Sequence, residues 1–219
     1  DNAGLSDISL CLTRNLYSSQ KFDINVSLGG KIPTNDSDKA STKEEFAGLP
    51  LPMYYQTSLG TYDAIAGVSL ITRKWLFATG IQYAFNRNGN QYSVQEWTGI
   101  YPDQPYLEKN ASPLELKRGT DIMFRAERNF RYARFNFSLG LLPIIRITND
   151  EIIDYNTGDR IKPQAAKGMA LSAIATAGYS FNVRTGLKLL VGHKIVQREV
   201  NPDGLTRELV ASLSYFYRF

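Results

Sequence analysis

Apolar and polar side chains alternate with a period of two residues along most of this chain. In residues 21–32, for example, Phe22 and Ile24 fall on one face while Asp23 and Asn25 fall on the other. A period of two is the pattern of β-strands whose two faces meet different surroundings. Most of these stretches are close to the ~9–11 residues that a tilted strand needs to cross a bilayer, or somewhat longer. About nine strands are predicted, at roughly 5–15, 20–31, 58–72, 75–88, 117–130, 133–148, 167–181, 185–199 and 207–219.

The segments that connect these predicted strands alternate in length. The short ones are 17–20, 73–74, 131–132 and 182–184, and the others, most of them long, are 32–57, 89–116, 149–166 and 200–206. A water-soluble sandwich has no reason to place its long loops at one end. Outer-membrane barrels have short periplasmic turns and longer outer loops. The connections therefore favour an all-β fold, a transmembrane antiparallel up-and-down β-barrel.

The polar side of the predicted strands combines small residues, mainly Gly, Ala and Ser, with scattered charges. Small residues make a poor solvated surface but fit the packed interior of a barrel, whereas a water-soluble sandwich turns its polar face outward. We therefore predict that the apolar face contacts lipid and the polar face lines a narrow lumen. The lumen-lining candidates are Asp23, Asn25, Asp63, Gln82, Arg125, Glu127, Arg134, Arg146, Lys188, Lys194 and Arg198.

These interior charges have two interpretations. They line a solute pathway and select solutes by charge and size, or they pair across a closed lumen, because buried charges must be paired or hydrated. The sequence leaves both open. The long connections add an aromatic set, Tyr92, Trp97, Tyr101 and Tyr106, which we expect to be exposed and able to hold a solute or a protein partner.

Aromatic residues gather near the predicted short-turn ends of the strands. They are Tyr17, Trp75, Phe130, Tyr132, Phe181, Tyr217 and Phe219. Amphipathic rings at this level form the interfacial girdle of membrane barrels. The last nine residues, ASLSYFYRF, alternate strictly except at Phe216. Their closing Tyr215, Tyr217 and Phe219 resemble the outer-membrane assembly signal, which implies the barrel-assembly machinery as a partner.

The strand count is odd, whereas bacterial single-chain barrels have even numbers of strands and place both termini in the periplasm. We treat 1–219 as a single β-barrel domain that lacks N-terminal strands, an odd number of them. About three more would give a barrel of about twelve strands. A cleaved fragment or a second chain would supply them. The alternative is one strand overlooked within 89–116 or 32–57.

Composition excludes several classes of function. Hydrophobic residues are 43% and charged residues 21%, and the net charge of +4 comes without a Lys/Arg cluster, so nucleic-acid binding is not indicated. Cys11 and His193 are the single cysteine and histidine, which leaves little for a zinc site or a Cys-His dyad. His193 lies on the lipid-facing register, but Ile195 stands where a phospholipase-like barrel would place a serine. We predict no enzyme activity, no metal and no cofactor.

The order of features in the first ninety residues or so resembles a known family. The segments are GLSDISLCLTRNL (4–16), INVSLGGKIPTNDSD (24–38), LPLPMYYQTSLGTYDAIAGVSL (49–70) and WLFATGIQYAFNRNG (75–89). They are similar to the outer-membrane transporters named for the meta-pathway of phenol degradation, a FadL-like group of barrels. Lys31, Pro33 and Thr34 match its K-x-P-T motif, whereas Asn35 replaces the favoured glycine; Gly60 and Asp63 match its next motif.

The resemblance implies uptake of small hydrophobic or aromatic compounds. We therefore expect a channel or transporter in the bacterial outer membrane, in contact with membrane lipid and lipopolysaccharide. The alternative is a non-transporting barrel that serves as a structural or interaction subunit of an envelope complex.

Overall fold

The computed structural model describes residues 6–44, 47–100, 112–163, 167–198, 203 and 208–217. Nine long strands form one antiparallel sheet. They are β1 Ile8–Ser18, β2 Phe22–Ile32, β3 Asp63–Thr72, β4 Trp75–Ala84, β5 Asp121–Tyr132, β6 Phe135–Arg146, β9 Gly168–Ser180, β10 Thr185–Val196 and β11 Leu209–Tyr217. Two very short strands, β7 Ile152–Ile153 and β8 Arg160–Ile161, form a separate hairpin. The all-β prediction and the nine strands are confirmed, with shifts of a few residues at the ends.

Each long strand pairs with its neighbours in the sequence, in the order β1-β2-β3-β4-β5-β6-β9-β10-β11. In the part of the chain that the structure describes, β1 pairs with β2 and β11 with β10, and these two edge strands do not pair with each other. The sheet is therefore not closed into a barrel. Within the described residues, the predicted first strand (5–15) does not pair with the predicted last strand (207–219), in agreement with the expectation from the odd strand count.

Residues on widely separated strands of the sheet line one cavity. Ser9 of β1, Gln82 of β4 and Ser172 of β9 all border it. A flat sheet would hold these side chains far apart, because neighbouring strands are about 4.8 Å from each other. The sheet is thus strongly curled, with these side chains on its concave face.

The concave face carries the buried charged side chains, and the opposite face is mostly apolar and exposed. Asp63 and Arg146 are each 2% exposed, whereas Leu12 is 84% and Leu213 is 71% exposed. A water-soluble sheet buries its apolar face instead. The polarity of this sheet is therefore the reverse of that in a soluble protein.

Phe216 interrupts the alternation of the last nine residues, because its apolar side chain lies on the concave side of β11. It pairs with Gly186 of β10. A Cβ atom at Gly186 would fall 2.5 Å from the Cζ atom of Phe216, so the ring occupies the space that a side chain there would need. The glycine is therefore explained by this aromatic ring.

The long connections form a small cap of their own. It contains the helix α1 Val94–Ile100, a 3₁₀ turn Met53–Tyr55 and a core of Tyr92 and Trp97. The indole N–H of Trp97 donates to the Pro50 carbonyl at 2.8 Å. Because Tyr92 and Trp97 are buried here, at 0% and 6% exposure, the expected exposed aromatic set is wrong for these two. Tyr101 and Tyr106 lie outside the described residues.

The short turns and the long connections lie at opposite ends of the sheet, as predicted. Short turns span 19–21, 73–74, 133–134 and 181–184, and the others span 33–62, 85–120, 147–167 and 197–208. Within the described parts of 32–57 and 89–116 no further long strand occurs. The alternative of an overlooked strand therefore finds no support there.

A candidate solute site beneath a buried charge cluster

Charged side chains form a row across the long-loop end of the concave face. Lys31 of β2 pairs with Asp63 of β3, and Asp121 of β5 pairs with Arg146 of β6. Side chains of directly opposed residues share a face of a sheet and lie close together. The strand ends therefore bring these charges into one layer, which the loops complete. We call the whole group the charge cluster: Asp7, Lys31, Asp63, Arg118, Asp121, Arg146, Asp150, Arg198 and Asp203.

Arg146 lies at the centre of the charge cluster and bonds to three carboxylates. Its Nε and Nη2 donate to the two oxygens of Asp121, each at 2.8 Å. Its Nη1 donates to both oxygens of Asp150, at 2.8 and 2.7 Å, and Nη2 also donates to Asp203 at 2.9 Å. The side chain is 1% exposed. All three guanidinium nitrogens are thus engaged, as the rigid fork of arginine allows.

Asp203 joins the loop between β10 and β11 to the same centre. Its carboxylate accepts from Arg146 and from Arg198 Nη2, the latter at 3.2 and 3.0 Å. Arg118 Nε lies 3.7 Å from it. Burial opposes the ionisation of Asp203, but the charges of Arg146, Arg198 and Arg118 outweigh that effect and hold its pKa well below the ordinary value. Asp203 is therefore a carboxylate, held by three guanidinium groups.

Asp150 has a different balance although it contacts the same Arg146. Burial raises its pKa, and neither the charge of Arg146 nor the backbone N–H of Gly119, at 2.7 Å, fully offsets this. The repulsion from Asp203 adds to the rise. Of Asp150 and Asp203, Asp150 is therefore the carboxyl whose burial favours the protonated, neutral form.

Lys31 extends the cluster to the first edge of the sheet. Its ammonium donates to Asp7 at 3.0 Å and to Thr61 Oγ1 at 3.1 Å, and it lies 3.2 Å from Asp63. Asp7 also accepts from Ser58 Oγ at 2.5 Å. Asp63 in turn accepts from Arg118 at 3.3 Å and from Gln82. The cluster therefore ties the segment before β1 to the loops that follow β6 and β10.

A cavity of about 790 Å³ lies against this cluster on the concave face. Lys31, Arg118, Asp121, Arg198 and Asp203 form its charged wall. Apolar side chains form much of the rest: Met53, Leu59, Ile65, Met123 and Ile144. A cavity of this size, with apolar walls and a few convergent polar groups, is the usual form of a small-molecule site.

With one exception, the predicted lumen residues lie at the charge cluster, beside the cavity, or farther along the same face towards the short turns. Asp63, Gln82, Arg146 and Arg198 meet at the charge cluster, and Lys194 borders the cavity. Farther along the same face, Arg125 bonds to Glu127 at 2.5 Å, Asn15 donates to Asn25 at 3.0 Å, and Ser18 donates to Asp23 at 2.5 Å. Lys188 is exposed on β10, opposite Ser214. Arg134 is the exception, because it lies exposed in the β5–β6 turn outside the strands.

Six members of the cluster were not among the predicted lumen-lining residues: Asp7, Lys31, Arg118, Asp121, Asp150 and Asp203. Lys31 had a signal, because it shares the polar face of β2 with Asp23 and Asn25 at even spacing. The sequence pattern also indicated Asp121, since it lies at even spacing from Arg125 and Glu127 and therefore on the same face of β5. The other four lie outside the strands, where alternation says nothing about direction. A Gly between Arg118 and Thr120 brings that backbone against Thr148, and no short-range pattern reveals such an approach.

The two residues with catalytic potential lie elsewhere. His193 pairs with Ala173 and Leu209, so its cross-strand neighbours are aliphatic. Cys11 is an exposed free thiol on β1. Among the described residues no three His, Cys, Asp or Glu side chains are placed to hold a metal ion. The described residues thus add nothing that favours a catalytic site.

No protein-family profile and no curated protein matches this chain. Within the described ranges, no helix is long and apolar enough to span a membrane. The predicted kinship with phenol-pathway transporters therefore stays a prediction.

Proposed function

We propose that this chain forms most of an outer-membrane β-barrel that passes small solutes. The observation that carries the proposal is the reversed polarity of the sheet, with charges buried on the concave face and Leu, Ile, Phe and Tyr exposed on the other. In water this arrangement would expose an apolar surface far larger than soluble monomers tolerate. In a bilayer the same face is solvated by lipid, and the alternation is the one that membrane barrels use.

The proposal includes additional strands that close the barrel. With nine antiparallel strands, β1 and β11 run in the same direction, so direct pairing between them would create one parallel junction. An odd number of further strands restores antiparallel pairing throughout. About three would give the even total of about twelve. A preceding segment of the same polypeptide or a second chain would supply them.

The cavity beside the charge cluster is the proposed solute site. Its apolar walls suit a small hydrophobic or aromatic body, and its charged wall suits a polar group on the same molecule. This combination agrees with the solute class that the family resemblance implies. The charges select by their sign and position, as charged rings do in other pores.

Permeation through vesicles tests the proposal. The full-length protein is reconstituted into liposomes, and swelling is measured with small aromatic alcohols and acids and with a sugar of similar size. Ile144→Trp fills the cavity and should lower swelling rates several-fold. Ile145→Trp is the matched control, because the neighbouring residue is the same type on the opposite face. No swelling above that of empty liposomes, for any solute, would contradict the transport proposal.

The second candidate is a non-transporting barrel in an envelope complex. The observation that favours it is the completeness of the charge cluster, in which the side chains of Asp63, Arg146 and Asp203 are 0–1% exposed. Such a network acts as a plug if it does not open. Stable co-purification of a partner, together with absent permeation, would support this candidate over the channel.

A further inference from the structure

The short turns of the sheet carry basic residues and no acidic ones. Turns 19–21, 73–74, 133–134 and 181–184 all contain Lys or Arg. Two arginines near the end of β5 add to them. We call this set the basic rim: Lys21, Arg73, Lys74, Arg128, Arg131, Arg134 and Arg184. All seven side chains are exposed.

Acidic residues are concentrated at the opposite end of the sheet. On the strand halves next to the short turns, the acidic residues are Asp23 and Glu127, which already bond to Ser18 and Arg125. The remaining acidic residues belong to the long connections, to the strand ends beside them or to the segment before β1. Within the described chain, no basic-rim residue lies within 4.0 Å of a carboxylate. The rim therefore presents positive charge that no described carboxylate neutralises.

The position of Arg128 shows that the basic rim extends onto the outer face of the sheet. Arg128 is opposite Trp75 in the β4–β5 ladder, on the exposed apolar face. Its guanidinium carbon lies 5.4 Å from the ring centroids of both Trp75 and Phe130, which is cation–π geometry. Two aromatic rings thus hold the cation on the outer wall, beside the sheet rather than below it.

Aromatic rings continue this belt around the sheet. Phe135 and Tyr179 lie 4.9 Å apart between their centroids, and Tyr179 and Phe181 lie 5.2 Å apart. Such rings favour the headgroup level of a bilayer. Cations at the same level would meet lipid phosphates, and each is stabilised near an anionic surface.

We propose that the basic rim binds the phosphate groups of anionic phospholipids in the leaflet next to the short turns. The inference rests on the membrane location proposed above. An acidic soluble protein is the less suitable partner, because Arg128 faces sideways into the aromatic belt and not towards the turn tips. The rim therefore selects lipid headgroups and fixes the depth of the sheet in the bilayer.

Trp75 provides a native probe for this contact. The full-length protein is reconstituted in phosphatidylcholine vesicles that contain brominated phosphatidylglycerol or, in a parallel series, brominated phosphatidylcholine. Quenching of tryptophan fluorescence reports which lipid lies beside Trp75, while Trp97 is buried in the cap at the other end. We expect about a fivefold preference for phosphatidylglycerol, since one cation near an anionic surface corresponds to about that factor. The preference should fall as salt increases.

Matched variants complete the test. Arg128→Gln with Arg134→Gln should reduce the preference to less than about twofold. Lys43→Gln with Arg160→Gln removes two exposed cations at the long-loop end and should leave it unchanged. Strong but equal quenching by both lipids would overturn the lipid proposal and favour a soluble acidic partner, with the membrane location intact. Quenching by neither lipid would overturn the membrane location itself.

Discussion

Replacing Arg146 by methionine tests the charge cluster at its centre. Methionine keeps the length and bulk of the side chain but removes the only charge that Asp121, Asp150 and Asp203 share at 2.7–2.9 Å. Arg118 and Arg198 remain near Asp203, whereas Asp150 keeps the Gly119 N–H. The variant therefore leaves buried carboxylates with too few cations.

The expected loss follows from how the carboxylates would respond. A buried carboxylate without a cation becomes protonated when ionisation costs more than proton uptake. Proton uptake by a carboxyl with an ordinary pKa near 4 costs about 4 kcal/mol at pH 7. This value limits the loss for each unpaired group. We therefore expect Arg146→Met to lower the free energy of unfolding by about 3–5 kcal/mol, the range found when one partner of a buried ion pair is removed.

Urea unfolding of the reconstituted protein, followed by tryptophan fluorescence, measures this loss. Arg160→Met, at an exposed site, is the control and should change the free energy by less than about 0.5 kcal/mol. Adding Asp121→Asn and Asp150→Asn to Arg146→Met should recover at least about 2 kcal/mol, because fewer charges then stay unpaired. The deficit of Arg146→Met should shrink at pH 5, where the carboxyls take up protons more easily. A loss below about 1 kcal/mol at pH 7 would refute the closed, dry cluster described here.

Two further predictions follow from the burial and charge of named residues. Asp203→Asn should destabilise the protein by about 2–3 kcal/mol at pH 7, and Asp150→Asn by less than about 1 kcal/mol, in the same urea assay. The fold lowers the pKa of Asp203, so the contribution of this group to the free energy of unfolding is present at neutral pH and lost on acidification. The fold raises the pKa of Asp150, so the contribution of that group to the free energy of unfolding is lost as pH rises. Leu213→Lys should abolish vesicle insertion or lower the free energy of unfolding by about 2–4 kcal/mol, since it puts a charge on the apolar face of β11. The adjacent Ser214 lies on the concave face, so Ser214→Lys should insert normally. Equal behaviour of the two variants would contradict the assignment of the faces.

The strands were predictable because their alternation is a local property. Each side chain on β2 or β6 reports its own face, so nine strands and the short turns followed from a period of two. The strand ends were less certain, and β1 extends to Ser18 where the prediction stopped at residue 15. The ladder with β2 continues to that point, where Ser18 donates to Asp23 at 2.5 Å. Cross-strand contacts therefore decide the boundary, and a single strand pattern does not contain them.

The site was only half predictable, for a related reason. Charges on strands, such as Asp63 and Arg146, had the correct parity. Arg118, Asp150 and Asp203 belong to loops, and their side chains meet only after the sheet has curled and the loops have folded over it. The helix α1 was missed because seven residues with few helix signals resemble a loop.

Charge asymmetry and sheet polarity together define an orientation for this molecule. The long-loop end holds a cluster of five aspartates, one lysine and three arginines, in which the opposite charges pair with each other. The short-turn end holds exposed cations that pair with no described carboxylate, and one of them, Arg128, contacts the rings of Trp75 and Phe130. Opposite charges that pair inside the protein can stabilise a fold, whereas exposed like charges repel and destabilise it unless a counter-charge is supplied. An external anion would offset this repulsion at the basic rim, and under the proposed membrane location the neighbouring apolar face makes a lipid phosphate the anion best placed to do so.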